Sequence, residues 1–172
     1  MIFEFLAAIS AAFGAAGIVL LLRKLVPGLP AWSMPFGAAV GLIGTTVWLE
    51  YDWFNRVSGE LPPGFAVVWT DDRPQSLRPW SFVAPLTTRF LAMDTTKLAP
   101  HPAQPDLKLA PVYTFARWRP VEDGFLAVDC AGSRRVPIVA GVEITAEGVL
   151  TGAEWLPMQA DDPVIGAACR EG

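Results

Sequence analysis

The stretch FLAAISAAFGAAGIVLLLRKLVPGLPAWSMPFGAAVGLIGTTVWL, residues 5–49, decides the architecture of this chain. Its charged residues, Arg23 and Lys24, sit side by side near its middle. The uncharged run on each side can reach the ~20 apolar residues that cross a hydrocarbon core of about 30 Å. The reading is a two-helix transmembrane hairpin, residues 1–56, with spans at about 4–23 and 33–50. Pro27, Pro30 and Pro35 crowd the start of the second span. Proline is accepted in a first helical turn, where its missing N–H has no partner anyway, so the span is placed from residues 32–35 onward. A cleaved signal peptide needs positive residues before its apolar run, and here they follow it. A mean hydropathy of +0.38 disfavours the remaining competitor, a helical hairpin from a soluble core.

Orientation follows from charge. Short loops rich in Lys and Arg stay in the cytoplasm. Arg23 and Lys24 occupy the connecting turn, whereas Glu4 precedes the first span and Glu50, Asp52 and Arg56 follow the second. The expectation is a bacterial inner-membrane protein with a cytoplasmic turn and both termini periplasmic. Trp32 at one boundary, and Trp48, Tyr51, Trp53 and Phe54 at the other, suit the headgroup level.

Within lipid no hydrophobic force draws helices together, so close approach depends on small side chains. Gly37 and Gly41 form a GxxxG pair with Gly44 beyond, and Ala8, Ala12 and Ala16 repeat at four-residue spacing in the first span. Packing of the two spans on each other accounts for one such face; a second would serve an integral membrane partner. Neither span carries an internal acidic or basic residue, which argues against an ion path or proton relay.

Residues 57–64, VSGELPPG, read as a linker, since two prolines and two glycines break helix and strand alike. From residue 65 to 172 apolar residues come in short runs separated by turn residues, the pattern of strands. Strands are expected at 65–70, 82–94 with a break at Pro85, 112–118, 125–130, 136–140 and 149–156. Short turns between them favour a small, mainly-β antiparallel meander. The proline-rich segment 97–111 is expected to be extended, irregular and at the surface. Asp161-Asp162-Pro163 reads as an N-cap and first-turn proline opening a short C-terminal helix, with Val164, Ile165, Ala168 and Cys169 on one face.

The chain has two cysteines, Cys130 and Cys169. In an oxidising compartment a lone pair bonds by default, and closing a loop of about 40 residues constrains the unfolded chain by about 4 kcal/mol in the entropic account. Two buried free thiols in a cytoplasmic domain are the alternative.

Residues Val128-Asp129-Cys130, Arg134-Arg135, Gly148, Trp155-Leu156-Pro157 and Asp162-Pro163-Val164-Ile165-Gly166-Ala167-Ala168-Cys169 give the region from about 112 to 170 a further reading. It resembles the surface-adhesin protein E-like domains of small Gram-negative envelope proteins. The resemblance implies an Asp-Cys strand, a basic residue in the next turn, a Trp before a polar turn, and a terminal helix whose Cys169 pairs with Cys130. The N-terminal membrane hairpin departs from that family, whose members reach the envelope through a cleaved signal or lipid anchor.

No catalytic set is legible. The one histidine, His101, lies between Pro100 and Pro102, where an exposed, mobile side chain is expected. The doublets Asp71-Asp72 and Asp161-Asp162 are explained by turn and cap roles. Phosphate-loop, HExxH, GxSxG, EF-hand and CxxC patterns are missing, so no metal, cofactor or catalytic residue is assigned. With 13 Lys plus Arg against 17 Asp plus Glu, the net charge of −4 also argues against nucleic acid. Arg73, Arg78 and Trp80 form one cluster suited to a partner or to lipid headgroups. Arg117 and Arg119 form a second, expected to share one face of a strand with Trp118 on the other. The expected function is a non-catalytic accessory or assembly subunit of an inner-membrane complex, energy-transducing (respiratory or photosynthetic), which it braces on the periplasmic side. The rival classes are a free-standing, membrane-anchored envelope binding module and, third, a tethered enzyme.

Overall fold

A computed structural model describes residues 2–74 and 79–170, residues 79 and 80 by backbone alone. The chain divides into two compact units, Met1–Arg56 and Val57–Gly172. The first is a pair of helices, α1 (Ile2–Leu25) and α2 (Ser33–Gly59). Arg23 and Lys24 fall in the last turn of α1 and not in the connecting turn as expected, because cations suit the negative end of a helix dipole and no breaker precedes Pro27. The helix closes with Val26 N–H on Leu22 O at 2.7 Å, and Pro27 cannot extend it. Ser33 Oγ and N–H both donate to Pro30 O at the start of α2, and Pro35 occupies the first turn.

Glycine lets the two helices touch. A Cβ on Gly41 would lie 2.7 Å from both Ala11 O and Ala15 Cβ, and one on Gly37 would meet Val19 Cγ2 at 2.5 Å. At the far end Arg56 donates to Glu4 at 2.8 Å and lies 3.7 Å from Asp52. Helix α2 therefore continues past the expected span end near residue 50 and into the expected linker, because the Asp52–Arg56 spacing supports helix and no breaker precedes Gly59. Among the described residues α1 is the one helix both long and apolar enough to cross a membrane. Only 11% of its apolar stretch is buried, the opposite of a soluble core helix.

Among its described residues the second unit has nine strands, β1 (Phe65–Asp71), β2 (Arg89–Asp94), β3 (Ala99–His101), β4 (Gln104–Ala116), β5 (Glu122–Asp129), β6 (Arg134–Ile138), β7 (Glu143–Ile144), β8 (Leu150–Thr151) and β9 (Leu156–Pro157). They are followed by α3 (Pro163–Cys169). The main sheet is antiparallel in the order β1-β2-β4-β5-β6-β9, with β3 also on β4, while β7 and β8 form a separate hairpin. One face holds the larger core: Val68, Met93, Ala110, Val112, Leu126 and Val128 pack against Val164, Ala167 and Ala168 of α3. The other face holds Ala127, Val136 and Val142, flanked by Leu109, Ile138, Ile144, Leu150 and Trp155.

Asp162 caps α3 by accepting from Val164 N–H at 3.0 Å, and Pro163 follows it in the first turn. Arg135 donates to the same carboxylate at 3.1 Å, and Lys108 Nζ donates to Ala168 O at 2.8 Å near the other end. A disulfide joins Cys130 to Cys169, with Cα atoms 5.7 Å apart.

Segments 97–111, 82–94 and 149–156 differ from expectation. Segment 97–111 is regular: β3 pairs with the first part of β4, Ala99 opposite Leu109 and Pro100 opposite Lys108. Its prolines are compatible with strand because Pro100 lies on a short edge strand and Pro111 falls where β4 passes from one neighbour, β3, to the next, β2. The predicted strand at 82–94 is a 3₁₀ turn, Pro79–Phe82, a connection through Pro85, and only then β2. The predicted strand at 149–156 is two separate two-residue strands, parted at Gly152, whose φ is +82°. The meander and terminal helix are as expected, and β1 starts at Phe65.

Asp94, 2% exposed, ends β2 opposite Phe65 at the start of β1. It accepts from Thr96 N–H at 3.0 Å, Thr96 Oγ1 at 2.6 Å and Lys97 Nζ at 3.0 Å, while Thr95 N–H and Oγ1 both donate to Gly64 O at 2.8 Å. The Thr96 hydroxyl, and after it Lys97, hold its carboxyl below the ordinary carboxylate range despite burial. A lowered folded pKa contributes stability above the ordinary value and loses it as pH falls through the folded one. Asp94→Asn should therefore lower the thermal midpoint at pH 7 and flatten its decline below about pH 4, read by circular dichroism. Reducing the disulfide, which spans 39 residues, should cost about 2–5 kcal/mol by denaturant titration with and without reductant, and Cys130→Ser should match the reduced protein.

Candidate functional site

Among the described residues, two recesses in the β-unit and the surface of the helix pair offer places for an interaction. The first recess is apolar and lies over the β3–β4 hairpin. Leu107 and Leu109 of β4, Ile138 of β6 and Ile144 of β7 line it, facing Ala99, Pro100 and Pro102, with a volume of about 320 Å³. Alternation along β4 sends Leu107 and Leu109 to the face opposite α3, which is why they are free to line a groove. His101 stands at its side and is half-buried instead of exposed: its Nε2 lies 3.1 Å from Thr145 O, and its Nδ1 accepts from Ala103 N–H at 3.2 Å. Gln104 Nε2 donates to Glu147 O at 3.1 Å, so two side chains tie the β3–β4 turn to the β7–β8 loop. A volume of this order holds a small apolar group.

The second recess is polar and lies where β1, β2 and β4 end together. Asp71, Arg89 and Ala116 are register partners across the three strands. With Thr88, Arg117, Trp118 and Arg119 they enclose about 280 Å³. The ladder continues past the strand ends through Thr88 N–H on Asp71 O at 3.2 Å and Arg117 N–H on Thr88 O at 2.9 Å. Asp72 accepts from Thr70 Oγ1 at 2.9 Å and from Thr87 Oγ1, which fixes the approach to Thr88. Strand β4 stops at Ala116, so Arg117, Trp118 and Arg119 do not alternate along a strand as the sequence implied. Trp118 has φ +68°, Arg119 N–H reaches back to Ala116 O at 3.2 Å, and the segment is a turn. The Arg117 guanidinium lies over the Trp118 ring, 4.4 Å from its centroid.

Arg73 joins this end of the sheet by donating to both oxygens of Asp71, at 2.8 and 3.2 Å. That pairing holds the Asp71 carboxyl below its ordinary range, with Arg89 adding a smaller pull. Sequence reasoning paired Arg73 with Arg78 and Trp80; Arg78 and the Trp80 side chain lie outside the described residues. It missed Arg89, whose only sequence signal is its place at a strand start.

In the helix pair, Ala8 and Ala16 are buried and Ala12 half-buried, while Gly37 and Gly41 meet Ala11, Ala15 and Val19. Gly44 has open space where a Cβ would stand, so the face in use is Gly37–Gly41 and not the full run of three. Among the described residues no group of three His, Cys, Asp or Glu could hold a metal ion.

Comparison with family models, with curated proteins and with solved structures finds no match to this chain.

The helix contact carries its own test. Gly41→Leu should separate α1 from α2 and cost about 1–3 kcal/mol, by the cost of overpacking a close contact. Gly44→Leu should leave thermal unfolding of the detergent-solubilised protein near wild type.

Proposed function

We propose that the chain is a non-catalytic accessory or assembly subunit of an inner-membrane complex, with an energy-transducing host as the first candidate. In this reading both α1 and α2 cross the membrane, the end of α1 that carries Arg23 and Lys24 is cytoplasmic together with the turn after it, and the β-unit braces the complex on the periplasmic side. One observation carries it. The α1–α2 contact is already closed by Gly37 and Gly41, yet Phe5, Phe13, Leu21, Phe36, Ile43 and Trp48 remain exposed. Those side chains belong against lipid or another membrane protein. The Cys130–Cys169 bond supports an oxidising location for the β-unit.

The alternative is a membrane-anchored envelope binding module related to the surface-adhesin protein E-like domains, and the apolar groove under Ile144 is the observation that favours it. Purification in mild detergent separates the two. Integral membrane proteins should co-elute with the chain, and a strictly monomeric species without a partner overturns the subunit reading. Replacing residues 1–56 by an unrelated anchor abolishes function in the first reading and preserves it in the second. Labelling thiols on intact cells should modify Cys130 and Cys169 with an impermeant reagent only after reductant; free cytoplasmic thiols would refute the assigned sidedness.

A further inference from the structure

The geometry points to the polar recess at the end of β1, β2 and β4 as a binding site for a phosphate-bearing anion, held by Arg89, Arg117 and Arg119. This goes beyond the subunit reading and does not depend on it. Three guanidiniums line the recess against one carboxylate, Asp71, and both oxygens of that carboxylate are already occupied by Arg73. Among the described residues neither Arg89 nor Arg119 has an ion-pair partner, although the chain as a whole is acidic at −4. Like charges gathered on one small surface repel each other, so the arrangement is relieved by a multivalent anion.

The backbone holds the cluster in place. Arg89 is fixed in register between Asp71 and Ala116, and Arg117 is fixed by its N–H on Thr88 O and by stacking on Trp118. The positive φ of Trp118, uncommon for a non-glycine residue, turns the chain so that Arg119 lines the same recess as Arg117 instead of continuing along β4. Planar guanidiniums arriving from two chain segments suit an anion with several oxygens, and arginine forks match phosphate oxygens in pairs. Phosphate monoesters and lipid phosphodiesters share that chemistry.

The test is calorimetric titration of the full chain in a non-ionic detergent, in chloride buffer, with three probes: inorganic phosphate, dihexanoylphosphatidylglycerol and acetate. Saturable binding of inorganic phosphate identifies a free phosphate as the source. Saturable binding of the short lipid alone identifies a headgroup. In either case Arg89→Gln with Arg119→Gln should weaken binding at least tenfold, and Arg89→Lys with Arg119→Lys should recover part of it. Affinity should also fall as sodium chloride rises, a readout on the wild-type protein that is independent of any variant's folding. Binding of neither phosphate probe, equal binding of acetate, salt-independent affinity, or unchanged affinity in a folded Gln double variant each overturns the proposal.

Discussion

The backbone ladder of β4 is the constraint on which the β-unit depends. Buried backbone donors and acceptors need partners, and a thirteen-residue strand in mid-sheet must find them on both edges along its length. On one edge β5 runs opposite β4 from Leu107 to Thr114. On the other edge two strands share the work, β3 opposite the first part and β2 from Val112 onward. Both recesses and the larger core of this unit hang on this strand. Leu107 and Leu109 line the apolar groove, Lys108 reaches a carbonyl of α3, Ala110 and Val112 enter the core, and the chain leaves the strand into Arg117.

The second tie is the clamp on α3. Seven residues are too few for a helix to persist alone in water, so its helicity comes from what it packs on. Asp162 and Arg135 secure one end, Lys108 and the Cys130–Cys169 bond the other, and Val164 and Ala168 between them are fully buried. The clamp is shared: Arg135 belongs to β6 and Lys108 to β4, so docking α3 also fixes these two strands relative to each other. Asp129, adjacent to Cys130, is held beside it. Burial pushes its carboxyl upward, but Gly132 N–H and Arg134 outweigh this and keep it charged.

Much of this was legible because it rests on local chemistry. Asp162-Pro163 announces a helix start wherever it occurs before an apolar run, and the prolines and glycines of 59–64 place the first strand at Phe65. The segment 97–111 was misread because proline is judged by its missing N–H, and the sequence does not reveal that Pro100 lies at an edge and Pro111 at a junction between neighbours. The polar recess was half visible. Arg117 and Arg119 were flagged together, but for a shared strand face, whereas it is the left-handed turn at Trp118 that unites them, and Arg89 joins only through strand register. The apolar groove was hidden altogether, since Pro100, Leu109, Ile138 and Ile144 come from four separate strands.

The helix pair obeys a different logic, in which charge and size act at right angles. Across the pair, Gly37 and Gly41 set how closely the backbones approach, and this uses one face of each helix. Along the pair, the two ends differ electrically. Arg56 is matched to Glu4 and Asp52 at one end, while among the described residues Arg23 and Lys24 at the other have no carboxylate partner. One end of the pair thus carries two unneutralised cations and the other an excess of carboxylates. Size and charge are thus carried by different residues, so a substitution such as Arg23→Glu should change the charge asymmetry of the pair while leaving the Gly37–Gly41 contact intact.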